Sequence, residues 1–243
     1  MEAAGFSVTH PSDKIAAGMN EESAALLARL RTFMLPEGDA VARSLKAVRV
    51  VEKGKMRATE QARWMTFTAD QILQTTFSAF RWEARTSGIV ITDAYEDGHG
   101  LAMSRLAGIL TLKKASRGPE LDRGELQRYL GSLMLCPAAL VSHPSLEWTS
   151  VAESVLRVRD LADPTGAIVD FEIGPDGAPN SCHTVRPRIV GSNAVDTKWV
   201  GKGSDFRLWN GMRIAHHLEV WWEIPGAPFC YYSSEVTQYE RAT

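Results

Sequence analysis

The chain has 243 residues, of which 44% are apolar and 23% are charged. This balance is typical of an ordinary globular protein and argues against disorder. The formal net charge is only -2, from 27 Lys and Arg against 29 Asp and Glu, which disfavours a broad electrostatic surface for nucleic acid. No apolar run is long enough to span a bilayer, so the sequence predicts no transmembrane helix.

The cysteines and the N-terminal residues bear on the compartment. Cys136, Cys182 and Cys230 are widely spaced and form no CxxC pair, which disfavours structural zinc, iron–sulfur and disulfide frameworks. The first residues, MEAAGFSVTHPSDK, lack the basic and apolar regions of a secretory signal. We therefore expect a cytoplasmic protein.

The N-terminal part predicts an arm, then a helix, then strands. Residues 1–20 are expected to form a flexible arm, and residues 21–243 a single domain. Leucines recur at helical spacing between a capping Asn20 or Ser23 and Pro36, which predicts a helix. From residue 47 the period becomes that of strands. The predicted strands of this part are 47–57, 64–67, 80–85, 88–95 and 101–112, with one helical turn after residue 67.

A helical interruption over residues 119–141 separates these strands from a second set. Pro119 is expected to begin the helix, and leucines together with Tyr129 lie on one of its sides. The later strands are predicted at 147–151, 154–161, 166–173, 181–190, 198–208, 212–224 and 229–240. Short connections favour an antiparallel meander, and around ten strands do not remain flat. The predicted fold class is α+β, mostly antiparallel β: a strongly curved, half-open barrel with an N-terminal helix and a central helical insertion.

Several segments resemble a bacterial family known only as a domain of unknown function. They are GPELDRGELQRYL, CPAAL, LEW, VDFEIGPDG, KWVGKGSDFRLWNGMRI and EVWWEIPGAPFCYY, within residues 45–240. The resemblance implies a curved sheet around helices, similar to lipoprotein-carrier and lipid-binding half-barrels, and it implies no activity. This chain departs from the family pattern at Gly131, at Leu135-Cys136, and at Ile214-Ala215 before two histidines. These departures indicate a pocket adapted to its own ligand.

Local motifs for cofactors and nucleophiles are absent from the sequence. There is no GxGxxG, GxxxxGK[ST], GxSxG, HxH or HExxH. Cys182 and His183 are adjacent, which on a strand directs them to opposite faces, so they do not form a nucleophile–base pair. We expect no cofactor and no metal, since a metal site would require histidines and carboxylates from distant strands.

Two histidines are candidate general bases. Alternation places His216 on the apolar face of strand 212–224 and His183 on the apolar face of strand 181–190. An imidazole in an apolar pocket stays neutral near pH 7 and can accept a proton. The alternative for each is a structural histidine bonded to a backbone carbonyl, and a bulge in either strand would exchange its faces.

A carboxylate and two tyrosines complete the candidate polar residues. Asp93 and Tyr95 share a strand face, and Asp93 needs a partner if it is buried, for which Arg105 on the return strand is predicted. The hydroxyl of Tyr129 orients or protonates a substrate, or else simply closes the core. Seven tryptophans are typical of a pocket for flat aromatic ligands, or of a β core. The residues expected to bind the substrate are Asp93, Tyr95, Arg105, Trp82 and Trp222.

These residues lead us to expect a cofactor-independent enzyme of the lyase or isomerase type, acting on a small hydrophobic or aromatic molecule. His216, His183 and Tyr129 are its predicted catalytic groups. The alternative is a carrier or sensor that binds a lipophilic molecule without turnover, and a third possibility is a structural partner in a complex. No nucleic-acid partner and no membrane span are expected, and the oligomeric state stays open.

Overall fold

The computed structural model describes residues 20–106, 110–190 and 193–242. Thirteen strands form one antiparallel sheet within these ranges. The strands are β1 (Ala47–Met56), β2 (Met65–Gln74), β3 (Phe80–Thr86), β4 (Ile89–Glu96), β5 (His99–Leu106), β6 (Leu110–Ser116), β7 (Leu146–Ala152), β8 (Val155–Asp160), β9 (Ile168–Ile173), β10 (Pro179–Val190), β11 (Asn193–Trp209), β12 (Met212–Glu223) and β13 (Phe229–Arg241). The helices are α1 (Glu21–Met34), α2 (Ala40–Ser44), α3 (Pro119–Gly131) and α4 (Ala139–Ser142), with a 3-10 turn at Ser132–Leu135.

The strand order divides the sheet into two halves. The first half, β1 to β6, runs from the middle of the sheet to one edge, and the second half, β7 to β13, returns from the other edge until β13 pairs with β1. The chain between β6 and β7 therefore has to connect opposite edges. It does so through α3, which contacts β4 and β5 of the first half and β9 and β10 of the second. The predicted curved half-barrel with a central helical insertion is confirmed.

Helix α3 sits close to the sheet because one strand residue lacks a side chain. A Cβ at Gly100 of β5 would lie 2.6 Å from the carbonyl oxygen of Leu121, which is closer than real Cβ contacts allow. The amide of Gly100 also donates to Asp122 Oδ1 at 2.7 Å. Glycine at this position thus allows the backbones of β5 and α3 to meet directly.

A buried polar cluster joins the two halves at one end of the half-barrel. The Ser78 hydroxyl, between β2 and β3, donates to Asp160 Oδ2 of β8 at 2.6 Å. His143, before β7, has its Nε2 3.2 Å from the same hydroxyl and its Nδ1 3.4 Å from the Ser145 hydroxyl. We call Ser78, His143 and Asp160 the closed-end cluster, since it ties loops from opposite halves together.

Two segments differ from the sequence predictions. The expected helical turn after residue 67 is wrong, because β2 continues to Gln74 and pairs with β1 along its whole length. Cross-strand pairing here outweighs the local capping tendency of Thr68. The expected return strand 101–112 is two strands, β5 and β6, which pair with each other.

The predicted arm, residues 1–20, lies outside the described residues except for Asn20, whose side chain caps α1 by accepting from the Ser23 amide at 2.8 Å. That residues 21–243 form a single domain stays a prediction. No helix within the described ranges is long and apolar enough to cross a bilayer.

Candidate ligand-binding site

A cavity of about 760 Å³ lies between α3 and both halves of the sheet. Binding sites for small molecules commonly enclose about 300–1,000 Å³, so the size suits such a ligand. The apolar and aromatic residues that line it include Met56, Met65, Trp82, Ile91, Trp199, Leu218, Val220, Trp222, Tyr231 and Tyr232. The polar and charged residues include Glu52, Gln71, Asp93, Glu125, Arg128, Arg186 and Arg188.

Aromatic side chains form two walls of this cavity. In the second half, Trp222 stacks on Tyr231 with ring centres 5.7 Å apart, and Trp199 Nε1 donates to the Tyr231 hydroxyl at 2.9 Å. Between the two halves, Trp82 of β3 and Tyr232 of β13 lie 6.3 Å apart. Fixed aromatic rings of this kind give an apolar ligand a large contact area at a small cost in side-chain entropy.

The departure from the family pattern at Gly131 has a structural reason. A Cβ at Gly131 would lie 3.0 Å from the ring of Trp199, and a Cβ at Gly201 would lie 3.0 Å from Cys182 Sγ and 3.4 Å from the same ring. The two glycines therefore make room for Trp199 where β11 meets the end of α3. A larger residue at either position would displace this aromatic wall.

Two ion pairs connect α3 to opposite halves of the sheet, a partly buried one with β4 and a buried one with β10. Arg128 pairs with Asp93 of β4, and its guanidinium lies 4.6 Å from the centre of the Trp82 ring. Glu125 accepts from Arg186 Nη2 of β10 at 3.0 Å. Positions 125 and 128 are three residues apart, so both lie on the same side of the helix. We call Asp93, Glu125, Arg128 and Arg186 the cavity cluster.

Burial changes the ionisation of two carboxyl groups that line the cavity. Burial raises the pKa of Glu125 to about 7, and attraction by Arg186 and Arg128 offsets only part of this rise. Burial also raises the pKa of Glu52. For Arg128, burial acts to lower the pKa, but the charges of Asp93 and Glu125 outweigh it and hold the pKa above its ordinary value. Near neutral pH the Glu125 carboxyl is therefore partly protonated, while the Arg128 guanidinium stays positive.

Several buried N–H groups on the cavity wall have no hydrogen-bond acceptor among the described residues. They are Gln71 Nε2, Trp82 Nε1, Arg186 Nε and Arg188 Nε. Gln71 and Trp82 are paired neighbours on β2 and β3. Glu125 Oε2 is a buried carboxyl oxygen on this wall that has no hydrogen-bond donor among the described residues. A buried donor without an acceptor costs about 1–3 kcal/mol, so a ligand that supplies acceptor atoms would recover this energy.

Three of the residues predicted to bind substrate line the cavity: Trp82, Asp93 and Trp222. The predicted pairing of Asp93 with Arg105 is wrong, because Asp93 pairs with Arg128. The register explains the difference. Arg105 lies opposite Val90, an odd number of residues from Asp93, so its side chain belongs to the other face of the sheet.

The two predicted tyrosines lie in the core outside the cavity lining. Tyr129 is fully buried, and its hydroxyl donates to the carbonyl oxygen of Gln74 at 2.9 Å. Tyr95 is buried near the closed end, with its hydroxyl 3.4 Å from Asp163 Oδ1. The Tyr129 hydroxyl thus contacts the last residue of β2, and the Tyr95 hydroxyl contacts the connection between β8 and β9.

The expectation that His183 faces the cavity is wrong. Alternation along β10 is regular, but the inward face carries Cys182 and Arg186, whereas His183 and Val185 point outward. Val185 is 54% exposed, and His183 Nε2 lies 3.8 Å from Asp170 Oδ2. The prediction assumed that the apolar side of the strand faces inward. Glu125 on α3 makes the opposite arrangement possible, because it supplies the counter-charge for a buried arginine.

His216 lies beyond the end of the cavity rather than inside it. The residues two, four and six positions later, Leu218, Val220 and Trp222, line the cavity as alternation predicts. His216 itself has Nδ1 3.2 Å from Asp205 Oδ2, and Asp205 has a positive φ of 51° that interrupts the pairing of β11 with β12. This irregularity removes His216 from the cavity wall.

Glu125, Arg128, Arg186 and Gln71 were not predicted from the sequence. The first two were visible as charged positions three apart in GELQRYL, a spacing that places both on one side of a helix. Their partners come from β4 and β10, which lie far away along the chain. Nothing local therefore identified the ion pairs. Among the described residues, no group of three His, Cys, Asp or Glu side chains comes together as a metal site.

The family model of DUF6920, a family of unknown function, matches residues 27–240, and the chain belongs to this family. The resemblance to a family of unknown function is thus confirmed. No curated protein is similar enough in sequence to be counted as a match.

Solved structures share the fold at very low sequence identity. A LolA superfamily protein from Nitrosomonas europaea and a DUF1329 family protein from Desulfovibrio piger each show 7% identity and a TM-score of 0.50, over 91% of this chain and 94% of theirs. A domain described as an outer membrane lipoprotein-sorting protein, from Vibrio parahaemolyticus, shows 8% identity and a TM-score of 0.47 over 90% of both chains. At such identities the likeness concerns the fold alone.

The expected cytoplasmic address is wrong. The finding against it is the fold that the chain shares with a LolA superfamily protein.

Proposed function

We propose that the protein binds a lipophilic small molecule in the cavity between α3 and the sheet, as a carrier or sensor. The observation that carries this proposal is the cavity itself, whose volume of about 760 Å³ and aromatic walls suit an apolar ligand. Trp82 and Trp222 supply apolar contact area, and Asp93 holds Arg128 in place beside Trp82. The fold shared with a LolA superfamily protein is compatible with this role.

The proposal is tested by placing a charge on the cavity wall. Val220→Asp introduces a carboxylate where Val220 lines the cavity, and Val185→Asp makes the same change at an exposed position on the outer side of β10. The uncharged fluorophore phenylnaphthylamine, titrated while its emission is recorded, is expected to bind the wild type and Val185→Asp equally. Its affinity for Val220→Asp should fall by about tenfold or more, because the carboxylate must be desolvated.

Two results would contradict the proposal. One is a wild-type protein that does not bind the fluorophore. The other is Val220→Asp binding it as tightly as Val185→Asp, which would place the bound probe outside the cavity.

An enzyme of the lyase or isomerase type is the second candidate function. Glu125 favours it, because a buried carboxyl with a pKa of about 7 and an unpartnered oxygen suits a general base near neutral pH. The test is to extract the molecule that co-purifies with the protein and incubate it with the wild type and with Glu125→Gln. Chemical conversion that the variant loses would support an enzyme, and an unchanged molecule in mass spectra of both samples would contradict it.

A further inference from the structure

We propose that the cavity selects amphipathic ligands with an anionic, acceptor-rich group, a carboxylate or a phosphate, and that Arg186 and Arg188 bind this group while Glu125 competes with it. This inference rests on the proposed function, since it names the chemical class of the ligand for the same cavity. It follows from the donors that the cavity presents and from the way Arg186 is held.

The unpartnered buried atoms of the cavity are mostly donors. Four N–H groups and a single carboxyl oxygen are without partners among the described residues that line it. A ligand that forms hydrogen bonds with these N–H groups has to carry acceptors, as an ester, a carboxylate or a phosphate does. A cationic or purely hydrocarbon ligand would leave the donors buried and unpaired.

Arg186 is the donor best placed for an anion. It is 9% exposed, its Nη2 is bonded to Glu125 at 3.0 Å, and its Nε is free of any described acceptor. Its guanidinium lies 5.6 Å from the centre of the Trp199 ring, which fixes the plane of the group. A planar guanidinium with a free N–H edge is suited to bidentate binding of carboxylate or phosphate oxygens.

A second arginine adds positive charge on the same side of β10. Arg188 follows Arg186 by two residues, so both belong to the inward face, and its buried Nε also has no described acceptor. Arg128 contributes less net charge, because Asp93 is paired with it. The two arginines of β10 therefore face the cavity with Glu125 as the carboxylate that opposes them.

Glu125 occupies one edge of the Arg186 guanidinium. A ligand anion that approaches the free edge is repelled by the carboxylate form of Glu125 and is not repelled by its neutral form. Replacement by Gln keeps the size and an acceptor oxygen but removes the charge. Glu125→Gln is thus expected to bind the anionic ligand more tightly than the wild type does.

The experiment compares ligands that differ only in the group at the end of one chain. Dodecanoate, dodecyl phosphate, dodecanol and dodecyltrimethylammonium are titrated against bound phenylnaphthylamine. For the wild type, the two anions should displace the probe at concentrations about tenfold lower than dodecanol does, and the cation should be weaker than dodecanol. Acetate and inorganic phosphate, which have no chain, should not displace it.

Variants assign this preference to the arginine. Arg186→Gln should reduce the preference for dodecanoate over dodecanol to about threefold or less, and Glu125→Gln should increase it. The double variant Glu125→Gln/Arg186→Gln avoids a lone buried carboxylate and should also lose the preference. Arg207→Gln, at an exposed arginine, is the matched control and should keep it.

The outcomes separate this inference from the proposed function. Equal displacement by dodecanoate and dodecanol, or a preference that survives in both Arg186 variants, would overturn the anion inference while leaving a lipophilic site. Displacement by inorganic phosphate alone would overturn the requirement for an amphipathic ligand. If phenylnaphthylamine does not bind the wild type at all, the proposed function fails first.

Discussion

The closed-end cluster and the cavity cluster are both buried and polar, yet their atoms are paired to different degrees. At the closed end, the Ser78 hydroxyl bonds both to His143 and to Asp160, and the second oxygen of Asp160 accepts from the Ala162 amide at 2.9 Å. In the cavity, atoms of Arg186 and Glu125 have no described partner. Burial of polar groups is thus common to both clusters, and incomplete pairing distinguishes the one that faces a cavity.

This difference has a physical meaning. A fully paired cluster holds the fold together, because each group loses its partner if the loops separate. A cluster with unpaired donors carries a cost in the free protein that a suitable ligand removes. The first should respond to mutation mainly in stability, and the second mainly in binding.

The largest expected effect is a loss of stability at acidic pH that depends on His143. Burial lowers its pKa from 6.5 to about 4, although Asp160 opposes this. The unfolded chain binds a proton between these values and the folded chain does not, so the free energy of unfolding falls as pH decreases from 6.5 to 4, by up to about 3 kcal/mol. In urea unfolding at several pH values, the free energy of unfolding of His143→Gln should not show this decrease. A variant whose free energy of unfolding falls with pH as steeply as that of the wild type would contradict the assignment.

Glu125, in the cavity, should change the free energy of unfolding with pH in the opposite direction to His143. Its pKa rises from 4.5 to about 7, mainly by burial, with Arg186 and Arg128 opposing the rise and Asp93 adding to it. The folded state keeps a proton that the unfolded state has lost, so this group lowers stability as pH increases from 4.5 to 7. The stability of Glu125→Gln relative to the wild type should therefore increase over this range, by roughly 1–3 kcal/mol. A relative stability that stays flat with pH would show that Glu125 ionises normally.

The smallest expected effect belongs to Tyr129. Tyr129→Phe removes the hydroxyl that donates to the carbonyl oxygen of Gln74, which should cost about 1 kcal/mol in the free energy of unfolding. Because this hydroxyl lies outside the cavity lining, the affinity for phenylnaphthylamine should not change. A weaker affinity at unchanged stability would indicate that the Tyr129 hydroxyl belongs to the binding site.

Much of the fold could be predicted from the sequence because it depends on local patterns. The alternation predicted over residues 80–85 is reproduced in β3, where Phe80 and Trp82 are buried and Arg81 is exposed. The same alternation placed Asp93 and Trp222 correctly on the cavity side. It could not decide which face of β10 points inward, because the counter-charge of Arg186 comes from a helix about 60 positions away in the chain.

The ion pairs of the cavity depend on topology rather than on pattern. Asp93 meets Arg128, and Glu125 meets Arg186, only because the connection between β6 and β7 crosses from one edge of the sheet to the other. Of these four charged residues only Asp93 was predicted from the sequence to belong to the site, and its predicted partner, Arg105, was wrong. The assignment of His216 failed for a different reason, since the positive φ of Asp205 has no clear signal in the sequence.

The central claim is that the cavity holds a lipophilic molecule with its anionic group at Arg186, and a crystal structure of the protein with dodecanoate tests it most directly. The account predicts the carboxylate within hydrogen-bond distance of Arg186 Nε and the hydrocarbon chain between Trp82 and Trp222. Dodecanoate bound with its carboxylate away from Arg186, or with its chain outside the cavity, would contradict the account.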